Sequence, residues 1–338
     1  MGKLLPVGKL PVELLAGLLG QAPIQDPRVV IGPGVGLDCA VVDVGDRLLV
    51  FKSDPITFAS DEIGWYLVQV NANDIATTGA RPCWLLVTLL LPEGQTTAEL
   101  VEEISGQIHR ACGEIGVSVI GGHTEITHGL ARPIIVGTMI GEVARDRLVT
   151  PRGAVPGDRL LLTKGVPIEA TAILAREFPE RLAQDLSPAE VEQASNFLFD
   201  PGISVLRDAQ IATQAGQVTA MHDPTEGGLA AALWELAQAC GHSLIVEPAA
   251  VPVPSLSVRI CKALNLDPLA AIASGALLLT APAEQTSQIR RALEQEGIAC
   301  AAIGAVEAGP AAVWQKRTTG RQTWPRPARD EIARIYED

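Results

Sequence analysis

Aromatic side chains are scarce in this chain, at 4 % of residues against 47 % hydrophobic. The core must therefore be built from Leu, Val, Ile and Ala. Basic clusters are missing too, and the formal net charge is −13. A nucleic-acid surface needs a Lys/Arg stripe to displace counterions, so no nucleic-acid partner is expected. The longest apolar-looking run, residues 83–91, contains Thr88. It reaches about half the length that spans a bilayer, so no membrane segment is expected. Pro6 and Pro11 interrupt the start of the chain, and no continuous apolar leader follows. The six cysteines, Cys39, Cys83, Cys112, Cys240, Cys261 and Cys300, include no Cys-x-x-Cys pair. Reduced thiols in a cytoplasmic protein are the expectation.

Several catalytic signatures are absent. The loop Gly32-Pro33-Gly34-Val35-Gly36 is not followed by Gly-Lys-Ser/Thr, and it misses Gly-x-Gly-x-x-Gly by one position. No Gly-x-Ser-x-Gly elbow is present. His123, Glu125 and His128 lack the His-Glu-x-x-His spacing, and no Cys-x-x-Cys completes a deaminase site, so zinc is not expected.

What the chain does have is length enough for two domains, at 338 residues. Patterning predicts helices over residues 11–19, 61–78 and 96–115, and strands over 39–44, 47–53, 84–91, 117–120 and 133–143. Gly45-Asp46 reads as a hairpin connection, and Thr96 with Glu99 as a capping box. Residues 151–157, rich in Pro and Gly, mark a boundary. Beyond it a strand (159–163), a helix (169–176), a capping box at Ser187 and Glu190, and strands over 243–247 and 272–280 are predicted. The expected division is therefore 1–150 and 151–317, with 318–338 as a polar surface tail.

The most informative stretch is Met221-His222-Asp223-Pro224-Thr225-Glu226-Gly227-Gly228-Leu229. Thr225 can cap a helix in which Leu229, Leu233, Leu236 and Cys240 recur at helical spacing. A helix start offers free N–H groups and a positive dipole end, a natural seat for phosphate. Acids beside it repel phosphate unless a divalent cation lies between. That pattern points to metal–nucleotide chemistry, although a solvated turn before a capped helix would read the same way. Asp38 follows the glycine loop, and Asp54 ends a strand. Asn71, Asp74 and Thr78 share one helix face, a set of hard oxygen donors that suits hydrated Mg²⁺. Such polar stripes also often just face water. Gly121 and Gly122 follow a strand and allow close backbone approach. Glu169 and Asp200 read as surface or interdomain acids outside the site.

Taken together, Gly32-Pro-Gly-Val-Gly-Leu-Asp38-Cys-Ala40, Lys52-Ser-Asp54, Val70-Asn-Ala-Asn-Asp74-Ile-Ala76, Gly121-Gly-His-Thr-Glu125 and His222-Asp-Pro-Thr-Glu-Gly-Gly228 form a familiar series. The chain resembles the AIR synthase (PurM)-like superfamily. That group takes in aminoimidazole ribonucleotide (AIR) synthase, thiamine-monophosphate kinase, selenophosphate synthetase and the hydrogenase-maturation protein HypE. The nearest likeness is to AIR-synthase-related proteins of the HypE kind.

The resemblance implies an α+β, two-domain fold. Its N-terminal sheet would pair across a homodimer into a β-barrel, followed by a C-terminal α+β domain. It implies ATP and Mg as cofactors, and an enzyme that phosphorylates an amide- or carbonyl-type oxygen of a small-molecule acceptor. AIR synthase or thiamine-monophosphate kinase proper, or a non-catalytic nucleotide-binding scaffold, are the alternatives. A maturation-protein partner is also implied. Carried over onto this sequence, Asp38, Asp54, Asp74 and Glu125 would hold metal. Gly34, Gly36, Asn71, Gly121, Gly122 and Thr124 would border the nucleotide. Asp74 and Asp223 would be catalytic, with Asp223 facing the γ-phosphate.

The chain departs from the pattern at Leu37, often Asp in such proteins, at His123, often Asp or Glu, and at Ser274, Glu in some HypE proteins. It ends Arg334-Ile-Tyr-Glu-Asp338 rather than in the Pro-Arg-x-Cys tail of HypE, so thiocyanate chemistry on a terminal thiol is not expected.

Overall fold

The structure, a computed structural model, describes every residue except 1–4, 6–9, 57, 58, 60, 337 and 338. It sorts into two units. The amino-terminal unit comprises Ile24–Gly32 and Asp38–Leu148. The carboxy-terminal unit comprises Val149–Asp338 together with Met1–Pro23 and Pro33–Leu37. Helix α1 (Val12–Leu19), which buries no side chain, belongs to the latter.

The amino-terminal unit contains β1 (Val29–Ile31), β2 (Ala40–Asp43), β3 (Leu48–Ile56), α2 (Ile63–Thr77), β4 (Arg81–Pro92), α3 (Ala98–Ile115), β5 (Ser118–Thr127) and β6 (Ile134–Val143). Its sheet runs β1-β2-β3-β6-β4-β5. β4 and β5 pair in parallel, the other neighbours antiparallel. β2 and β3 are joined through Gly45-Asp46 as expected, with Gly45 at φ +107°.

All fifteen residues of α2 are buried. The helix can lie so close because β6 presents glycine beneath it. A Cβ on Gly137 would stand 2.8 Å from Asn71 Nδ2, and one on Gly141 would stand 2.4 Å from Ile75 Cγ2. Burial of Leu67, Val68 and Ile75 contributes about 2 kcal/mol each. The polar stripe of Asn71 and Asp74 does not face water. That decides against the plainer reading of this helix.

The cap of α3 is one residue later than expected. Thr97 Oγ1 accepts the Leu100 N–H at 3.3 Å, because Thr96 already donates its hydroxyl to the Pro92 carbonyl at the end of β4.

The carboxy-terminal unit continues with β7 (Arg159–Thr163), α4 (Ile168–Glu177), α5 (Pro179–Leu182), α6 (Pro188–Ser195), α7 (Leu206–Ala215), β8 (Ala220–His222), α8 (Gly228–Cys240), β9 (Ser243–Val246), α9 (Ser255–Ala263), β10 (Leu278–Ala281), α10 (Thr286–Gln295), β11 (Cys300–Glu307), β12 (Ala312–Arg317) and β13 (Gly320–Thr323). The sheet order is β13-β12-β9-β11-β7-β10-β8. Leu160, Leu161 and Leu162 of central β7 are all fully buried, so both faces of the sheet are covered there. The predicted stripe of α8, Leu229, Leu233 and Leu236, packs with Leu160, Leu162 and Leu244. The capping box of α6 forms as predicted.

Two predicted elements differ in this unit. The strand predicted over 272–280 is confined to Leu278–Ala281. Before it, Ser274-Gly275 turn the chain, with Gly275 at φ +111° and pressed against the Gly202 carbonyl. Segment 318–338 is not a surface tail. β13 pairs with β12, and Trp324 and Ile332 are buried. Trp324 donates its N–H to the Val313 carbonyl and accepts from Trp234 Nε1. Among the described residues, no helix is long and apolar enough to cross a membrane.

Candidate active site

Alternation along β3 puts Lys52 and Asp54 on the same face of the strand. The Lys52 ammonium lies 3.1 Å from Asp54 Oδ2 and 3.2 Å from Asp74 Oδ2 of α2. Its side chain is 12 % exposed and that of Asp74 3 %. Burial pulls the Lys52 pKa down, but Asp74, Asp54 and Asp38 outweigh it and hold it well above the ordinary lysine value. Three of the predicted metal ligands, Asp38, Asp54 and Asp74, therefore act on one firmly charged amine. Lys52 had no role in the sequence reading. The available signal was its spacing of two from Asp54.

Asn71, expected beside the nucleotide, gives its amide to backbone. Its Oδ1 accepts the Asp54 N–H at 3.1 Å, and its Nδ2 donates to the Leu67 carbonyl at 2.9 Å. Both ends of the amide are used by backbone, and the effect is to hold β3 at Asp54. The Asp74 carbonyl is held in turn by Thr77 Oγ1 at 2.8 Å and Cys39 Sγ at 3.3 Å. The acids thus stand on a strand and a helix that are tied together at the point where they meet.

Gly121, Gly122, Thr124 and Glu125 fall on β5, the exposed edge of the sheet. Gly122, at φ +148°, is needed for strand pairing, because a Cβ there would stand 1.7 Å from the Val87 carbonyl oxygen. Register aligns Asp54 with Gly137, Gly137 with Val87, and Val87 with Gly122. Gly122 is thus three strand spacings, roughly 14 Å, from Asp54. Glu125 lies farther along β5, with its carboxylate 3.1 Å from His123 Nε2. Within one protomer Glu125 cannot share an ion with Asp54 and Asp74, and its assignment as a metal ligand in that set is corrected. Thr124 and Gly121 instead line a groove of about 280 Å³ with Val87, Ser105 and His109.

In the carboxy-terminal unit Asp223 is buried just beyond β8. The neighbouring His222 Nε2 lies 2.9 Å from Glu235 Oε2 on α8. Thr225 does not cap α8. Gly227 and Gly228, at φ +79° and +60°, turn the chain into the helix instead. Three N–H groups at the amino end of α8 are already taken. The Gly227 N–H donates to Asp330 Oδ2 at 2.6 Å, the Gly228 N–H to the Thr225 carbonyl and the Ala230 N–H to the Leu269 carbonyl.

Gly36, at φ +73°, lies where a Cβ would come 2.9 Å from the Glu235 carbonyl, so the glycine loop packs on α8. At Gly34 the nearest neighbour is the flexible Leu37 side chain.

Glu169 is buried rather than superficial. Burial pushes its carboxyl up to about 7, against the Ser274 N–H bond that lowers it and with Asp330 and Asp223 adding to the rise. Asp330 is pushed up to about 6, also by burial. Asp330 had no motif to mark it.

Residues 36–143 match the N-terminal domain of AIR synthase related proteins, and residues 155–315 match their C-terminal domain. The chain belongs to the AIR synthase related protein family. A Methanocaldococcus jannaschii protein named for hydrogenase expression and formation is 28 % identical over 320 residues, covering 90 % of this chain and 91 % of its own length. The carbamoyl dehydratase HypE of Azotobacter vinelandii is 30 % identical over 258 residues, 75 % of this chain and 72 % of HypE. A crystal structure of HypE in complex with ATP superposes with a TM-score of 0.70 at 25 % identity, covering 93 % of this chain and 90 % of that one. The mixed α+β, two-unit architecture is that of these AIR-synthase-related proteins. The chain is an enzyme of this family.

Around Lys52 the carboxylates of Asp38, Asp54 and Asp74 offer hard oxygen donors beside one ammonium. Three carboxylates against one amine leave negative charge for a divalent cation, and carboxylate oxygens suit Mg²⁺.

Proposed function

We propose that the protein is a Mg²⁺- and ATP-dependent enzyme that phosphorylates an amide- or carbonyl-type oxygen of a small-molecule acceptor. The observation that carries this reading is the convergence of Asp38, Asp54 and Asp74 on buried Lys52. The likeness to HypE, crystallised with ATP, supports it. When bound, Mg²⁺ supplies charge neutralisation on the transferring phosphoryl group. Asp38, Asp54 and Asp74 are the residues proposed to hold it. Lys52 keeps Asp54 and Asp74 from repelling each other, and Asn71 sets the position of Asp54 by pinning its backbone. Gly34 and Gly36 belong to the loop proposed to lie along the phosphates. Asp223, in the carboxy-terminal unit, is the proposed acid at the γ-phosphate.

The active form is proposed to be a homodimer. β5 is a ten-residue edge strand without Pro or Lys, and it exposes Val119, Ile120 and Ile126. An uncovered apolar edge of that length is a template for a second copy. A barrel built from two such sheets would cover it, and a maturation protein would be the further partner, as the HypE likeness implies.

ADP release against a library of amide- and carbonyl-bearing metabolites tests the reading. Release that needs Mg²⁺ and rises with one acceptor supports it. ATP that neither binds nor turns over with any acceptor removes it.

A further inference from the structure

The last part of the chain meets the loop that carries Asp223, and the contact is a carboxylate. Asp330 is 5 % exposed. Its Oδ2 accepts the Gly227 N–H at 2.6 Å, and its Oδ1 accepts the Ile332 N–H at 2.9 Å. It arrives on a well-anchored segment. Trp324 is packed in the core, and Ile332 and Ile335 are buried. The Glu331 N–H donates to the Ala270 carbonyl, and Glu331 Oε2 accepts the Asp267 N–H. Gly227 and Gly228 both hold positive φ, so this turn leaves the chain freedom that some other contact must remove.

We infer that Asp330 is a positioning residue, a built-in anion at the amino end of α8 that holds the 223–228 loop, and with it Asp223, in place for phosphoryl transfer. The inference rests on the proposed role of Asp223. A neutral amide has one acceptor oxygen and could not take both the Gly227 and the Ile332 N–H, so the carboxylate ties the loop to its own segment through both oxygens. Its charge does something a neutral cap cannot. It complements the helix dipole and repels the substrate phosphate from a helix end that would otherwise attract it. The anion that sequence patterning assigns to this helix start is supplied by the chain itself, from 103 residues away.

The test uses the full chain with Asp330→Ala and Asp330→Asn. Amide hydrogen exchange over residues 225–229 reads the loop, while kcat and KM for ATP read its consequence. Asp330→Ala is expected to raise exchange there and lower kcat, each about tenfold, with KM nearly unchanged. Asp330→Asn keeps an acceptor oxygen and is expected to fall between it and the parent. Exchange equal to the parent in both variants overturns the inference, as does faster exchange with kcat unchanged. Should Asp330→Ala not fold, Asp330→Asn decides by the same two criteria. A parent protein that neither binds nor turns over ATP removes the nucleotide reading, and the exchange comparison still decides whether Asp330 holds the loop.

Discussion

Lys52 Nζ stands 3.2 Å from Asp74 Oδ2, linking a strand to a helix across the floor of the amino-terminal unit. The same amine reaches Asp54 at 3.1 Å. Removing it would leave the buried Asp74 carboxylate facing the partly exposed Asp54 without a counter-charge. Lys52→Met is expected to lower stability by about 3 kcal/mol, the usual scale for stripping one partner from a buried pair. Added Mg²⁺ should recover part of that loss by taking up the same charge. Thermal melts with and without MgCl2 check this. A variant that melts with the parent, or gains no more from Mg²⁺ than the parent does, argues against the cluster as a cation site.

Asp74→Asn probes the other end of the pair. The amide keeps the volume and leaves Lys52 its contact with Asp54, so the fold should survive. The charge that would face a metal-bound phosphate is lost. ATP turnover is expected to fall on the order of 100-fold, as when a preorganised electrostatic group is deleted from an active site. ADP release measured at saturating Mg²⁺ decides it, and parent-like turnover would sink the assignment.

Much of this arrangement was legible in the sequence because short-range patterns carry it. The stripe of α8, the Gly45-Asp46 hairpin and the Ser187–Glu190 box depend on neighbours within a turn or two. Asp38, Asp54 and Asp74 were legible through their motifs. The misses came from contacts distant along the chain. Asn71 reads as a polar ligand until Asp54, seventeen residues earlier, is seen to take its amide. Gly122 reads as phosphate room until β4 is seen to pass within contact of it. Thr225 reads as a cap until Asp330, 103 residues from Gly227, takes the helix end. Glu169 reads as a surface or interdomain acid because its burial depends on contacts distant along the chain.

Gly122→Ala tests the strand-pairing role directly. With Val87 backbone oxygen 1.7 Å from the added Cβ, the edge of the sheet must move. A loss of about 3 kcal/mol or more is expected, in the range of severe overpacking. Gly121→Ala meets only the flexible end of Leu86, at 3.4 Å, and is expected to cost about 1 kcal/mol through its positive φ. Denaturant midpoints rank the two. The reverse order would contradict the register.

Charge on the edge strand is expected to separate the proposed dimer. Ile120 is exposed in the single chain, so Ile120→Lys should leave protomer stability within about 0.5 kcal/mol of the parent. A lysine on an edge strand opposes strand addition. Sedimentation should show a dimer for the parent and a monomer for the variant. A parent that is monomeric at all concentrations would remove the pairing proposal.

The buried acids of the carboxy-terminal unit predict how stability depends on pH. Glu169 has a folded pKa of about 7 against an ordinary 4.5, raised mainly by burial. Between these values the fold holds a proton that the unfolded chain has released. The contribution is therefore fully present below about pH 4.5 and is lost as pH rises through 7. Glu169→Gln stays neutral throughout and should remove this loss. Relative to the variant, the parent is expected to weaken by roughly 3 kcal/mol at most between pH 5 and pH 8, since one pKa unit is worth about 1.4 kcal/mol. Asp330, raised to about 6, acts in the same direction, but it is present in both proteins and largely cancels in the comparison. Denaturant titrations in metal-free buffer at the two pH values give the difference. If the gap between variant and parent is the same at both, Glu169 is already ionised in the fold, and its burial is not what sets its pKa.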